Sequence, residues 1–284
     1  MSSTETSGPV SLEANTSEQS VAPEHLAARG RSRLGRFEPW LIGVVSVVVF
    51  LAIWQAVAVA RVVPELFLPG PIDIAGALAD YVRSPEFVQD VATSGQELLI
   101  GFGLAIVTGL PIGLLIGWYR RLRYALDPFI SFFYSVPRIA LLPLLIIWFG
   151  IGIWSKVAVI FLGAFFPIAI NTLAGIRSLD PPLLKAARSF GASDLQIFRT
   201  IALPGSVPFI LTGIRLGVGH ALIGVVVGEL VAAQHGVGLA MATAGSTFQT
   251  SKVFAGLIII AGVGVILQIL LQRLENHFDS WRPR

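Results

Sequence analysis

Residues 180–208 read DPPLLKAARSFGASDLQIFRTIALPGSVP, a polar segment set between two strongly apolar stretches. Asp180 followed by Pro181 is a helix start: the carboxylate can accept from free N–H groups, and proline is tolerated at the first helical position, where no N–H partner is needed. This predicts a short helix from about Pro181 to Phe190. Gly191 then permits the backbone conformation that ends it, and Ser193 with Gln196 three residues later forms a capping box for a second short helix. That helix is predicted to stop near Leu203, because Pro204 and Pro208 interrupt it. The product is a knob of two short helices with a sharp bend. An amphipathic hairpin lying on lipid headgroups is the competing reading of the same pattern.

Composition sets the surroundings of this segment. The chain is 54% hydrophobic and 13% charged, with a mean hydropathy of +0.77, which places it with integral membrane proteins. A pI near 9.6 arises from a formal charge of only +3, so the chain has no basic face for nucleic acid. It contains no cysteine, which excludes disulfides, thiolate metal sites and cysteine nucleophiles. Residues 1–36 are rich in Ser, Thr, Glu and Ala and finish in Arg29, Arg31, Arg33 and Arg36. Such a segment cannot bury enough apolar surface to fold alone and is expected to be a disordered cytoplasmic tail. Its apolar core lies too far from the start for a cleavable signal peptide.

A span needs roughly 20 mostly apolar residues to cross the hydrocarbon. Six stretches qualify: Trp40–Ala60, Leu98–Trp118, Leu126–Phe149, Val157–Ile176, Phe209–Ala233 and Val253–Leu271. Pro64 to Thr93, with Asp73, Asp80, Glu86 and Asp90, reads as an external loop containing a surface helix near Ile72–Val82. Cytoplasmic loops retain positive charge during insertion. With both termini inside, fourteen lysines and arginines fall in inside segments, and only Arg61, Arg83, Lys156 and Lys252 fall outside. The 180–208 loop is therefore expected on the cytoplasmic face.

Glycine spacing foretells how the spans pack. Gly109, Gly113 and Gly117 recur every fourth residue in the second span, which lets helix backbones approach closely. Gly213, Gly217, Gly224 and Gly228 of the fifth span project within about 60° of one another. Pro111, Pro137, Pro143 and Pro167 predict kinks, tolerated where neighbouring helices or water satisfy the freed carbonyls.

At its own spacings the loop reads A-A-x3-G-x9-I-x-L-P through Ala186, Ala187, Gly191, Ile201, Leu203 and Pro204. This resembles the EAA loop of bacterial ABC importer permeases, on which a cytoplasmic ATPase docks. Val136-Pro137, Leu142-Pro143, Trp148-Phe149-Gly150-Ile151-Gly152, Gly163-Ala164-Phe165-Phe166-Pro167 and Asn171-Thr172 are similar to the permeases of the nitrate, sulfonate and taurine uptake branch. So are Leu68-Pro69-Gly70-Pro71 and Gly101-Phe102. The resemblance covers roughly Leu68 to Trp281.

The resemblance implies an all-α integral membrane protein of the type I ABC importer permease kind. Its six transmembrane helices would occupy residues 37–284, with a cytoplasmic coupling loop at about 177–207. It implies a permease homodimer in the lipid bilayer of a bacterial inner membrane, served by cytoplasmic ABC ATPase subunits and an extracytoplasmic substrate-binding protein, moving a nitrate-, sulfonate- or taurine-like solute or another small organic compound. ATP and Mg would reside on the ATPase, so this chain would bind no cofactor. Lys185, Ala186, Ala187, Gly191, Ser193, Ile201, Leu203 and Pro204 become the ATPase-coupling residues. Two departures stand out: Lys185 occupies the position of the family's usual glutamate, and Glu97 stands where small-oxyanion members often carry arginine.

Charged groups at a helix centre in the bilayer cost about 2.5 to 3.5 kcal/mol on insertion scales, so each polar residue in a span is a candidate for the substrate path. Glu97, at the outer edge of the second span, fits either that role or a solvated edge or inter-helix ion pair. Arg138, between Pro137 and Pro143, either faces a cavity made by broken helix geometry or bonds freed carbonyls. Asn171 lies deep in the fourth span, where an amide commonly bonds a neighbouring helix. Arg215 and Glu229 lie within about 40° of one another but about 21 Å apart along the fifth span, the first placed to snorkel at the inner end and the second near the outer mouth. His220 falls on the glycine stripe, which favours an inter-helix hydrogen bond over a proton relay.

Catalytic and metal signatures are absent from the sequence. No phosphate loop ending in Gly-Lys-Ser/Thr occurs, and neither does H-E-x-x-H; four scattered histidines without cysteine make no metal site. The competing functional reading is a stand-alone proton-coupled secondary transporter with Glu97, Glu229 and His220 as relay groups.

Overall fold

The computed structural model describes residues 34–278, with side chains from 40 to 275. The chain falls into two units, Met1–Val49 and Phe50–Arg284, and the second holds every helix from Pro71 onward. The tail arginines 29, 31 and 33, and Arg282 and Arg284, lie outside the described residues.

The described residues are helical and contain no strand. α1 (Leu34–Val59), α3 (Phe87–Trp118), α6 (Ile153–Arg177), α9 (Leu203–Ala232) and α11 (Thr250–Phe278) are the long apolar helices. Between α1 and α3 lies α2 (Pro71–Arg83), close to the predicted surface helix. Its entry is tied down locally. Trp54 Nε1 donates to the Pro69 carbonyl at 3.1 Å, and the Ile72 N–H donates to Gln55 Oε1 at 3.1 Å.

The expected third span is not one helix. α4 (Arg120–Ser135) and the segment Arg138–Phe149, a 3₁₀ turn followed by α5 (Leu142–Phe149), meet at 87°. Pro137 has no N–H to continue the ladder, and it drives Val136 into an extended conformation at φ −70°, ψ 129°. With this bent pair counted as one, the described residues hold six apolar stretches long enough to cross a membrane.

Other boundaries moved for identifiable reasons. α3 starts at Phe87, so the second span begins eleven residues before the apolar run at Leu98 and takes Asp90 and Ser94 into the helix. Asp180 does not cap α7 (Pro181–Ser189) with its side chain; Pro181 and Pro182 remove the first two N–H groups a cap would bind. The helix α8 (Asp194–Ile197) does not stop at Leu203. It runs through a π turn, Phe198–Ala202, into α9, and Pro204 follows the π turn without ending the helix. A short helix, α10 (Val237–Ser246), follows α9 and had no counterpart in the six-span reading.

Packing centres on α6, which makes its most extensive contacts with α9 and α3. Both neighbours present glycine to it. A Cβ at Gly101 would meet Ile160 and the Val157 carbonyl, one at Gly113 the Ala169 carbonyl at 2.6 Å, and one at Gly117 Ile176 at 2.7 Å. From the other side, Gly213 lies against Pro167 and Asn171, Gly217 against Ile168, Gly224 against Ile160 and Gly228 against Lys156. Leu98, Ala105, Ile160, Ala164, Ile168, Ile214, Ala221 and Val225 fill the seams between them. Pro111 and Pro167 sit inside α3 and α6 without ending either helix.

Gly113→Ala should destabilise the protein by roughly 1 to 3 kcal/mol, because the carbonyl it strikes cannot move without displacing α6. Gly103→Ala, whose Cβ would enter open space, should be neutral or slightly stabilising. Thermal unfolding of the two variants in the same detergent compares them; equal melting temperatures would show that the seam is looser than described.

Candidate functional site

Three places carry the candidate side chains: the knob at one end of the bundle, a polar cluster at the other, and a cavity between.

The knob is built as its sequence demands. α7 ends at Phe190, and Gly191 adopts φ +79°. The Gly191 N–H donates to the Arg188 carbonyl at 2.9 Å and the Ala192 N–H to the Ala187 carbonyl at 3.1 Å, the paired bonds of a Schellman turn. Ser193 accepts from the Gln196 N–H at 3.3 Å while Gln196 Oε1 accepts from the Ser193 N–H at 3.0 Å, closing the capping box. Ile197 and Ala202 are buried at the root, and Phe198 packs edge-on against Trp118 of α3. At the tip the opposite holds: Phe190 is 91% exposed, with Leu183 and Leu195 also open. Lys185 is exposed on α7, Ile201 lies in the π turn, and Leu203 and Pro204 open α9.

At the far end of α3, Asp90, Ser94 and Glu97 occupy one face at four- and three-residue spacing, and all three are buried. Asp90 and Ser94, together with Glu229 of α9, meet the N-terminus of α10. The Gly236 N–H donates to Asp90 Oδ1 at 2.9 Å, the Val237 N–H to Ser94 Oγ at 3.0 Å, and the Gly238 N–H to Glu229 Oε2 at 2.6 Å. Ser94 Oγ in turn donates to Glu229 Oε1 at 2.6 Å. Three otherwise orphaned N–H groups are thus satisfied by acceptors that also suit the positive end of a helix dipole. Gly236, at φ +136°, has no room for a side chain, since a Cβ would collide with the Glu229 carboxylate. Tyr81 of α2 donates to Asp90 Oδ2 at 2.8 Å. Burial, then the bond to Asp90, push the Tyr81 phenol above its ordinary value.

Glu97 is fully buried and pairs with Lys156 Nζ at 3.0 Å. It is no solvated edge; of the placements open to it, the inter-helix ion pair is the one seen. Lys156, counted among the outside loop charges, lies within α6 and is 4% exposed. Glu229 is fully buried as well, tied to Ser94 and α10. Lys156, Asp90 and Ser94 were absent from the candidate residues. The spacing of residues 90, 94 and 97 carried the signal, but it was obscured by assigning residue 90 to a loop.

The remaining candidates separate. Asn171 Nδ2 donates to the Pro167 carbonyl of its own helix at 2.8 Å, where a neighbouring helix was expected. Arg215 pairs with Glu275 of α11. His220 Nδ1 bonds the Leu216 carbonyl at 2.9 Å, again within its own helix and not across the seam; the backbone of residue 220, not its ring, fills the close contact with Gly163. Arg138 sits in the 3₁₀ turn at the α4–α5 break, its guanidinium 5.1 Å from the Tyr134 ring and 5.5 Å from the Phe166 ring. It borders a cavity of about 410 Å³ lined also by His220, Gly163 and Gly224.

Comparison with known proteins gives a consistent result. Residues 109–280 match the family described as "Binding-protein-dependent transport system inner membrane component". The permease protein named for aliphatic sulfonates transport, SsuC of Bacillus subtilis (strain 168), is 39% identical over 253 residues, covering 89% of this chain and 90% of that one. The taurine transport system permease protein TauC of Escherichia coli (strain K12) is 35% identical over 83% of this chain and 88% of its own. The formylaminopyrimidine transport permease protein ThiX of Halalkalibacterium halodurans is 34% identical, covering 82% and 93%. Among solved structures, a chain of the MetNI methionine ABC transporter shares the fold, with TM-score 0.59 and 21% identity over 67% of this chain and 95% of that one.

Removing Lys156 should expose the energetics of the polar cluster. Lys156→Met leaves Glu97 as a buried, uncompensated charge, and breaking a buried pair this way costs about 3 to 5 kcal/mol. Adding Glu97→Gln should recover most of the loss. Thermal unfolding of the single and double variants measures it, and a double variant no more stable than the single would mean that the pair is not the stabilising contact.

Proposed function

The chain belongs to the binding-protein-dependent transport system inner membrane components and is the permease subunit of an ATP-binding cassette importer, working with a separate ATPase and a binding protein; from that premise we propose how its parts divide the work. It is a multi-pass membrane protein and not itself an enzyme, and family membership favours this reading over the proton-coupled secondary transporter. We take the knob formed by α7, Gly191 and α8 as the ATPase-docking element. The observation that carries this is the exposure of Phe190 at the tip of a turn held by two backbone bonds and a capping box. A large apolar side chain left this open on a rigid support is suited to a partner's cleft. Lys185, exposed on the same helix, replaces the family's usual acid, so any charge contact there is reversed.

The finer assignments are a homodimeric permease in a bacterial inner membrane with both termini in the cytoplasm. The positive-inside count supports that orientation. The solute is a small organic compound of the kind named for the relatives, with sulfonates as the leading class, and its path follows the break between α4 and α5 past Arg138.

Two experiments test this reading. Gly191→Val places a β-branched residue at φ +79°, which penalises the left-handed turn by roughly 1 to 2 kcal/mol, whereas Gly191→Asn tolerates that conformation better. Substrate-stimulated ATP hydrolysis by the reassembled complex should be lost in the valine variant and largely kept in the asparagine one. Normal assembly and stimulation in Gly191→Val would remove the knob from the coupling role. For orientation, single cysteines at Glu86 and Leu195, both exposed, should react with an impermeant thiol reagent from outside and from inside respectively in the cysteine-free chain. The reverse pattern would invert the topology.

A further inference from the structure

Arg138 has no counter-ion among the described residues: no carboxylate lies within ion-pair distance of it, and its Nε is buried without a hydrogen-bond partner. Its one hydrogen bond, Nη2 to the Tyr134 carbonyl, is 3.5 Å long and therefore weak. What holds the group is aromatic: the guanidinium lies over the rings of Tyr134 and Phe166, which are themselves packed edge-on with centroids 6.4 Å apart. Stacking on rings occupies a guanidinium face and leaves its N–H edge available, the edge that matches an oxyanion.

The cavity beside it is small and mostly apolar. Val136, Ile139, Val159 and Ile223 supply its wall, with Ser135 and His220 as further polar neighbours. Ser135 Oγ already donates to the Ser131 carbonyl. A carbonyl only accepts, so His220 Nδ1 carries the hydrogen in its bond to Leu216. The lining glycines fix its depth: Gly163 lies ten residues into α6 and Gly224 eight residues before the end of α9. At 1.5 Å per residue both are about 12 to 15 Å below those helix ends, near the middle of a hydrocarbon layer about 30 Å thick. An uncompensated cation at that depth, with its binding edge free and an apolar wall opposite, is arranged for a ligand that brings its own negative charge.

We propose that this cavity is an oxyanion subsite within the permease, taking a solute with one sulfonate or carboxylate headgroup on a short apolar body, and that Arg138 selects for that charge. The proposal rests on the permease reading, since it assumes that solute passes the α4–α5 break. It assigns part of the selectivity to this chain, and the Glu97 carboxylate, consumed by Lys156, takes no part in it.

The test uses the full-length chain in nanodiscs of uncharged lipid, so that no anionic headgroup competes. Ile223→Cys places a single thiol in the cavity wall. Its modification by 2-sulfonatoethyl methanethiosulfonate is compared with that by the similar-sized 2-(trimethylammonio)ethyl reagent. Arg138→Met should lower the anion-to-cation rate ratio by about tenfold, the size expected of one nearby, partly screened charge, and Arg138→Lys should retain most of the preference. Butanesulfonate should protect the thiol when Arg138 is present, and butanol should not. An unchanged ratio in Arg138→Met, or equal protection by butanol, overturns the subsite. If Arg138→Met does not assemble, Arg138→Lys and the protection measurements decide alone. No ATPase enters the assay, so failure of the coupling role at Gly191 and failure of this subsite are read separately.

Discussion

The structure depends on how closely α6 can approach two helices at once. In lipid there is no hydrophobic force to press helices together, so van der Waals contact and backbone proximity must hold them. α3 and α9 each turn a line of glycines toward α6, and at Gly113 and Gly213 the nearest atoms across the seam include backbone carbonyl oxygens of α6. With α6 held on two sides, its remaining surface can support the irregular parts: the edge of the cavity through Val159 and Gly163, and the lysine that neutralises Glu97.

Irregular backbone at membrane depth is tolerated only where protein buries it or where it lines a cavity. The α4–α5 break satisfies this by turning toward α6. Leu142 and Leu145 bury against Val159, while the 3₁₀ turn carrying Arg138 borders the open volume. Pro137 and Pro143 thus have separate effects: the first interrupts the ladder, and the second lies in the first turn of α5, where no donor is missed.

How much of this could be read from the chain depended on the range of the interaction involved. The elbow at Gly191, the capping box at Ser193 and the surface helix near Ile72 are local, settled by residues within a turn of one another, and the structure has them where spacing put them. The glycine stripe of α9 was equally visible because 3.6-residue periodicity maps directly onto a helix face. Other features turned on partners far away in sequence. Glu97 looked like a span edge because hydropathy counts charge without asking what neutralises it, and Lys156 lies 59 residues further on. Ser94 and Glu229 are separated by 135 residues. The α4–α5 bend was foretold as a kink at Pro137, but no local pattern encodes its 87° magnitude.

The helix that passes all three candidate places is the one whose interruption was wrongly expected at Pro204. From Asp194 to Ala232 the chain is helical for 39 residues, through the π turn. At 1.5 Å per residue that is about 58 Å, nearly twice the hydrocarbon thickness, so the rod extends well beyond it on the knob side. The projecting end is the knob, rooted by Ile197 and by Phe198 on Trp118; the opposite end lies just after Glu229 in its bonds to Ser94 and α10; His220 and Gly224 line the cavity between. Had Pro204 ended the helix, a flexible link would separate the knob from the bundle and no displacement at Phe190 would need to reach the cavity. The π turn shifts the hydrogen-bond register where Pro204 lacks a donor, so the rod continues. That makes Phe198–Ala202 an irregular joint in the rod, and with Pro208 it lies on the knob side of the cavity, so a bend at either would come before motion reached the residues that line it.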